Sequence, residues 1–363
     1  MKITNVKVDV FSWETDPWQV GLHHMTAGGK KQLSVVSVET DQGITGNAFL
    51  SRPEHSAPGL IEFLKPIIVG QNPQDIGYLW KKLWKMNRAA SLAAIGAVDI
   101  CLWDINGQIA DQPIHRLLGT CKEKVPVYSS TAYHETTEEY AEEALKFKEM
   151  GWQAHKIHPH GNLVSDIEIS RIVREAVGSD MKLMLDSMWG YQYEDAVRVG
   201  RAIEELNYYW YEDPLVEEDI YGYVKLHQKL DIPIMSTEYA PGRYYGMTQW
   251  ITQYATDILR GDVAVTGGIT PLVRLCHLAE GFNMKCEIHH GGNSLNNVAN
   301  LHVTMAVPNC EFFEFFPSTG VNMYGLIEDI QFVNGYVHAP SKPGLGYEID
   351  WDLVKRDLMG SLE

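Results

Sequence analysis

LMLDSMWG (183–190), YWYEDPL (209–215) and IMSTEYAPG (234–242) share one form. Each begins as an apolar or aromatic run of strand length and then turns abruptly to a carboxylate: Asp186, Glu212 and Glu238, with 26 residues at both steps. That step is one strand plus one helix. Continuous apolar strands alternating with helical segments are the pattern of parallel strands buried on both faces. The fold class expected is therefore α/β, a (β/α)8-type barrel with the three acids at the C-terminal ends of adjacent strands, where residues of such barrels reach a common cavity. Ordinary strand-end acids would be solvated or paired with Lys and Arg. Three in one context at one period argue for convergence instead, and converging carboxylates repel unless a cation compensates them. All-oxygen ligands suit a hard divalent ion, Mg²⁺ before Mn²⁺, and disfavour zinc, which prefers His and Cys.

Working outward, the strand form recurs at VPVYSST (125–131), QAHKIHP (153–159), ILRGDVAVTGG (258–268), MKCEIHHGG (284–292) and CEFFEFFPS (310–318). With the three acidic stretches these make eight strands, the number a closed barrel of this kind needs. Upstream the pattern changes. KVDVFSW and QLSVVSVET alternate like strands, a turn at Asp41–Gly43 leads to ITGNAFL, and residues 57–119 carry helical spacing. The organisation expected is an N-terminal α+β domain over 1–121, the barrel with the active site over 122–335, and a C-terminal segment, 336–363. Between the first two strands lies VGLHHMTAGGKK (20–31). A Gly-rich loop of this length reads as a lid, and its His23 and His24 are expected, with Lys156 and Tyr133, to contact the distal end of a substrate.

Strand two brings Lys156 and His158, two residues apart and so on one side of the strand. Facing a barrel interior, both would be costly to desolvate without an anion nearby. The alternative is a strand-end lysine reaching solvent and a hydrogen-bonded core histidine. Asp262 and His289 end strands six and seven, 27 residues apart. A carboxylate that accepts from one imidazole nitrogen fixes the tautomer and raises basicity at the other, which makes an oriented general base. His290 is the rival for that role, since alternation sends the two histidines to opposite sides. Strand eight offers Glu311 and Glu314.

Several of these motifs resemble the enolase superfamily, mandelate racemase subgroup. They are the acid spacing with EDP (212–214), AVDICLWDINGQIADQPIHRLLG (97–119), which looks like the helix closing the family's cap, RGDVAVTGGIT (260–270), IHHGGN (288–293), FFEFFP (312–317) and the tail NGYVHAPSKPGLGYEIDWDLVKRDL (334–358). The resemblance covers nearly the whole chain, and it implies that the N-terminal α+β domain, 1–121, is a capping domain and that the C-terminal segment, 336–363, returns to it. It implies Mg²⁺ on Asp186, Glu212 and Glu238, and a catalytic set of Lys156, His158, Asp262, His289 and Glu314, with Glu314 protonated to assist a developing enolate. Where the family carries Lys-x-Lys on strand two, this chain has Lys156 and His158; a histidine still moves protons near neutral pH. The implied reaction begins by removing the proton α to a substrate carboxylate. Loss of a β-hydroxyl then yields a 2-keto-3-deoxy acid, so dehydration of an acid sugar is expected. The polar groups at the strand ends, among them His134, His160, Asn293 and Ser294, suit such a hydroxyl-rich ligand. Return of a proton to the same carbon would instead make a racemase or epimerase of a 2-hydroxy acid or amino-acid derivative. A catalytically silent barrel that binds a metabolite is the reading from another class; the retained carboxylates, Lys156 and the Asp262/His289 pair count against it.

At 363 residues the chain has room for a barrel and a smaller domain. A net charge of −17 disfavours nucleic acid and anionic membranes as partners, and no stretch reads as a membrane span. A small-molecule carboxylate is the expected partner, within a homo-oligomer. Five scattered cysteines without a CxxC pair fit a reduced, cytoplasmic setting, and MKITNVKVDVFSW alternates as a strand with no apolar signal core. GxxxxGK, a GxGxxG after a leading strand, and HExxH are all missing, so P-loop, dinucleotide and zinc-protease chemistries lack their minimum residues.

Overall fold

The computed structural model describes residues 1–20, 25–130, 133–317 and 324–363, with the backbone alone over 16–20 and 25–28. Alternation at the start of the chain makes β1 (Ile3–Val20), which pairs antiparallel with β2 (Met25–Thr40), and β2 pairs in turn with β3 (Thr45–Ser51). Val6 and Val8 bury one face of β1, and Phe11 is buried beside an irregularity in the β1–β14 ladder, where Val10 pairs with Gly360 and Phe11 with Leu358. The glycine-rich loop expected over 20–31 is strand for much of its length. Lys30 pairs with Glu14 and Gly29 with Thr15, and Gly29 takes a φ of 64° beside the bulge between Thr15 and Trp18. Backbone pairing with β1 straightens the segment, and the glycine serves a bulge within the ladder. His23 and His24 lie outside the described residues.

The cap adds α1 (Ile76–Trp84) and α2 (Leu92–Ala110), the latter capped by Ser91, whose hydroxyl accepts the Ala94 N–H at 3.1 Å. Contrary to expectation from the sequence, α2 is long and apolar enough to cross a membrane by length and composition. Here its apolar surface is buried in the core, the other use of a helix that is hydrophobic all round. It approaches the barrel most closely at two glycines. A Cβ on Gly96 would sit 2.5 Å from the Val263 carbonyl oxygen, and one on Gly268, whose φ is +120°, would sit 2.4 Å from an Asp99 carboxylate oxygen. Asp99 accepts the Thr270 N–H at 2.8 Å and the Thr270 hydroxyl at 2.7 Å, which fastens the cap to the segment following Asp262.

From Lys124 the chain alternates strand and helix: β4 (Lys124–Ser130), α3 (Thr137–Glu149), β5 (Ala154–Ile157), α4 (Leu163–Val177), β6 (Lys182–Asp186), α5 (Tyr193–Glu205), β7 (Trp210–Glu212), α6 (Ile220–His227), β8 (Ile234–Ser236), α7 (Arg243–Thr252), β9 (Ile258–Gly261), α8 (Ile269–Gly281), β10 (Lys285–Ile288), α9 (Ser294–Ala306) and β11 (Phe313–Phe315). Strands β4 to β10 lie parallel in sequential order, and β11 returns to pair parallel with β4. No ladder joins β10 to β11 among the described residues. The Glu287 carboxylate spans that seam, accepting the N–H groups of Glu311 at 2.8 Å and Phe312 at 3.2 Å. The run 258–268, expected as strand throughout, stops at Gly261. Asp262 turns its carboxylate back to accept the Ala264 N–H at 2.5 Å and so caps a helical turn over Val263–Thr266. At the end of the chain, β12 (Phe332–Val333) and β13 (Tyr336–His338) form a hairpin whose second strand adds antiparallel to β4. The chain then returns to the cap through α10 (Trp351–Arg356) and β14 (Leu358–Leu362), the outer neighbour of β1.

Side chains of period two fill the barrel in layers. Tyr128, Ala154, Met184, Trp210, Met235, Ile258 and Phe312 form an apolar plug. Two residues further along five of these positions stand Lys156, Asp186, Glu212, Arg260 and Glu314, none more than 7% exposed. The charged layer thus rests directly on the plug.

Candidate active site

Register decides which charges meet. Asp186 stands opposite Glu212 in the β6–β7 ladder, and Lys156 on neighbouring β5 reaches both. Its ammonium lies 3.0 Å from Asp186 Oδ2, 3.1 Å from Glu212 Oε2 and 2.8 Å from Glu314 Oε1. Across the layer, Arg260 Nε is 2.7 Å from Glu212 Oε1 and 3.4 Å from Glu238 Oε2, while Nη2 is 2.6 Å from Glu314 Oε2. Two buried cations therefore link all three carboxylates expected to hold metal. Burial opposes ionisation of Asp186, but Lys156 and then His158 outweigh it and hold the carboxyl below its ordinary range. His158 Nε2 is 3.0 Å from the same Asp186 oxygen, so it shares its side of the strand with Lys156, and Tyr140 steadies it by donating its hydroxyl to the His158 carbonyl at 2.7 Å.

At the other end of the carboxylate row, His289 Nδ1 is 3.1 Å from Asp262 Oδ2 and 3.6 Å from Glu238 Oε1. The Asn300 amide donates to Asp262 Oδ2 at 3.0 Å and to the His289 carbonyl at 2.9 Å, which fixes the two relative to each other. Burial works against a charge on this imidazole, yet Glu238 and then Asp262 raise its pKa to about 9. His290 turns the other way. Its ring centroid is 3.9 Å from that of Phe313, Nδ1–H donates to the Ile288 carbonyl at 2.9 Å, and burial pushes its pKa down to about 3.

Glu314 receives two cations and the His290 N–H at 3.1 Å, all of which favour the carboxylate. Burial opposes that form, but Arg260 and then Lys156 hold the carboxyl well below its ordinary range. The protonated Glu314 that the resemblance implies is not what these neighbours stabilise. Glu311 lies elsewhere, at the N-terminal end of the barrel between Lys182 and Lys285. Lys156 is 1% exposed and engaged by three carboxylates, so it reaches into the charged layer rather than toward the mouth. Tyr133 is half-buried with its ring 4.7 Å from that of His160. Arg260 and Asn300 escape a motif-based reading. Arg260 had a signal, because it falls between Ile258 and Asp262 on the inward parity of one strand. Asn300 sits on α9 with nothing in its spacing to mark it.

The donor set fits a hard cation. Asp186, Glu212, Glu238 and Glu314 bring four carboxyl groups against the two cations Lys156 and Arg260, burial pushes Glu212 up to about 7 even so, and every donor is an oxygen. Among the described residues, no three His, Cys, Asp or Glu side chains are yet arranged around one point. Binding a cation would therefore be an exchange, in which oxygens now held by Lys156 and Arg260 turn to it.

A capped barrel whose strand ends carry a carboxylate row between two histidines defines an enolase-like class of barrel enzymes. Residues 3–119 match the mandelate racemase/muconate lactonizing enzyme N-terminal domain, and residues 139–353 match the enolase C-terminal domain-like family. The chain belongs to the mandelate racemase/muconate lactonizing enzyme family and is an enzyme of that group. It is 30% identical over 297 residues to an arabinonate dehydratase of Saccharolobus solfataricus, covering 79% of each chain. It is 27% identical over 374 residues to a D-galactarolactone cycloisomerase of Agrobacterium fabrum, covering 98% of each. The crystal structure of a D-glucarate dehydratase from Agrobacterium tumefaciens complexed with magnesium superposes with a TM-score of 0.90 at 30% identity, over 99% of this chain and 100% of that one.

Proposed function

We propose that the protein is a Mg²⁺-dependent dehydratase of an acid sugar, an aldonate or aldarate. The observation that carries this reading is the placement of two histidines at the two ends of one carboxylate row, His158 on Asp186 and His289 beside Glu238. Dehydration needs one group to take the α-proton and another to protonate the hydroxyl that leaves. His289, in its neutral form, takes the α-proton at Nε2 while Asp262 holds Nδ1–H and Asn300 holds the dyad in place; because Glu238 is the main cause of its pKa of about 9, that form grows as pH rises or as a cation would draw off the Glu238 charge. His158 gives its proton to the departing β-hydroxyl, which leaves as water. The resulting enol becomes the 2-keto-3-deoxy acid. When bound by Asp186, Glu212 and Glu238, Mg²⁺ would supply Lewis-acid stabilisation of charge developing on the substrate carboxylate. Lys156 and Arg260 keep Glu314 ionised and the floor of the site rigid. His23, His24 and Tyr133 would meet the distal end of the substrate. Relatives named for arabinonate and D-glucarate dehydration support the substrate class.

The same two-ended placement could return a proton to the α-carbon from its opposite face. Racemisation or epimerisation of a 2-hydroxy acid or amino-acid derivative is accordingly the second reading, and a racemase is among the relatives. One experiment separates them. Acid sugars are screened for 2-keto product with a carbonyl reagent while α-proton exchange is followed by NMR in D₂O. Keto product supports dehydration; exchange with inversion and no keto product from any acid sugar overturns it.

A further inference from the structure

Backbone strain singles out one side of the site. Met188 (φ 46°), Trp189 (φ 66°) and Thr237 (φ 95°) hold left-handed conformations that such side chains avoid, and each lies within three residues of Asp186 or Glu238. Strain of this kind persists only where the surroundings enforce it, and it gathers at functional sites. The enforcing contacts are visible. The Met188 N–H donates to Asp186 Oδ1 at 3.1 Å, the Trp189 N–H to the Asp213 carbonyl at 2.7 Å, and the Thr237 N–H to buried Glu217 at 2.6 Å. What this backbone displays is a pair of rings. Trp189 and Tyr239 meet edge to face, centroids 5.8 Å apart at 87°, and they are 39% and 43% exposed. Tyr239 directly follows Glu238, its hydroxyl lies in the field of Glu238 and Asp262, and the Arg243 guanidinium lies 5.4 Å from its ring centroid. Tyr239 therefore lies beside Glu238 at the carboxylate row, and Trp189, three residues past Asp186, packs against it.

We propose that Trp189, backed edge-on by Tyr239, is a stacking platform for the C–H face of the substrate's carbon chain. The inference rests on the acid-sugar reading. Between its hydroxyls an acid sugar presents polarised C–H bonds, whose partial positive charge suits the negative face of an indole. A ring placed there orders the chain without competing for the hydroxyls' hydrogen bonds. It acts on carbons beyond the reacting pair, and so selects five- and six-carbon acid sugars over glycolate, which has only the carboxylate and one hydroxyl.

The test uses magnesium-loaded full-length protein with D-arabinonate, D-xylonate, D-mannonate, galactarate and glycolate, taking KM where product forms and a calorimetric Kd where none does. Trp189→Gly relieves the positive φ while removing the ring, so its melting temperature should hold, and affinity for the preferred acid sugar should fall about tenfold or more. Affinities for Mg²⁺ and glycolate should be unchanged, and Trp189→Phe should recover most of the loss. Acid-sugar affinity that survives Trp189→Gly would overturn the platform, as would a shift in oligomeric state with affinity unchanged, which would make the rings an interface. If wild type binds the panel but forms no keto acid, and Trp189→Gly loses that binding, the platform stands and the dehydratase reading falls. If wild type binds none of the panel, both fall.

Discussion

The two ends of the barrel hold the same ingredients in opposite proportions. At the N-terminal end Glu311 is met by Lys182 at 2.6 Å, Lys285 at 2.5 Å and the Tyr209 hydroxyl at 2.5 Å. Partial burial resists its charge, but the hydrogen bonds from Lys182 and Lys285 bring its pKa to about 2. At the C-terminal end four carboxylates share Lys156 and Arg260, almost wholly out of water. The first cluster is complete and closes the floor of the barrel. The second gathers four carboxyl groups on two permanent cations, so burial pushes Glu212 up to about 7, while Glu238 and Asp262, against burial, draw the His289 imidazole up to about 9; both are responses of a buried site short of fixed positive charge. Incomplete compensation, rather than charge as such, distinguishes the functional end.

That contrast breaks most sharply at Glu212, which both cations touch. Glu212→Ala should reduce turnover by about a thousandfold or more, with the circular dichroism spectrum of the folded protein retained. Added Mg²⁺ should raise the melting temperature of chelator-stripped wild type by mass action and leave that of the variant where it was. Full activity of wild type in excess chelator would sink the metal assignment. Next in size is the dyad. His289→Asn should slow exchange of the substrate α-proton by about 10²- to 10⁴-fold in D₂O, whereas His290→Asn should keep it. The opposite outcome would transfer the role to His290.

The functional end was also the more legible one from sequence, for a geometric reason. Inward residues recur every second position, and the βα step sets neighbouring strand ends side by side, so Asp186, Glu212, Lys156, His158, Asp262 and His289 could be placed from spacing. What spacing leaves open is partnership. Nothing in RGD says that the Arg260 guanidinium will bind Glu314, or that two cations will keep that glutamate ionised. Segments governed by cross-strand pairing were harder still, because the glycine-rich run looks like a loop until Thr15 of β1 pairs with Gly29 and Trp18 with Ala27. Helix α2 was legible as a helix from its spacing, but the extent of its burial was not, because that depends on β3 and the barrel packing around it. The Trp189 platform depends on left-handed backbone at consecutive residues, which no residue pattern announces.

Buried histidines between cap and barrel supply a third case, in which charge is excluded altogether. His302 accepts the His115 N–H on Nδ1 at 3.1 Å and donates from Nε2 to the Leu345 carbonyl at 3.0 Å, so both nitrogens are used in the neutral form. Burial pushes its pKa down to about 3, against an ordinary value of 6.5. Between those two pH values the unfolded chain binds a proton that the folded chain does not. The stability His302 contributes is thus fully present above pH 6.5 and is lost as pH falls toward 3, at about 1.4 kcal/mol per pH unit for one proton. Urea midpoints between pH 8 and pH 5 should fall on acidification, and His302→Gln, less stable at pH 8, should show a shallower fall. Identical slopes would mean that His302 does not set the pH dependence of stability.

The smallest effect is expected at the floor. Glu311→Gln removes the charge but keeps a side chain able to accept from Lys182, Lys285 or Tyr209. The side chains of Glu311, Lys182 and Lys285 are 29%, 40% and 43% exposed, so water already screens the pairs. The loss should be about 1 kcal/mol or less, and it should shrink further in high salt, where exposed pairs are screened. Turnover should not change, because the apolar plug from Tyr128 to Phe312 separates this cluster from the carboxylate row. A half-exposed cluster can lose one member and still be compensated by solvent; the buried row above the plug cannot. Equilibrium unfolding at low and high salt, with kcat and KM on the same preparations, measures both halves of this statement. If Glu311→Gln lowered kcat while stability held, charge on the floor would be acting through the plug, and the separation of a structural end from a functional end would fail.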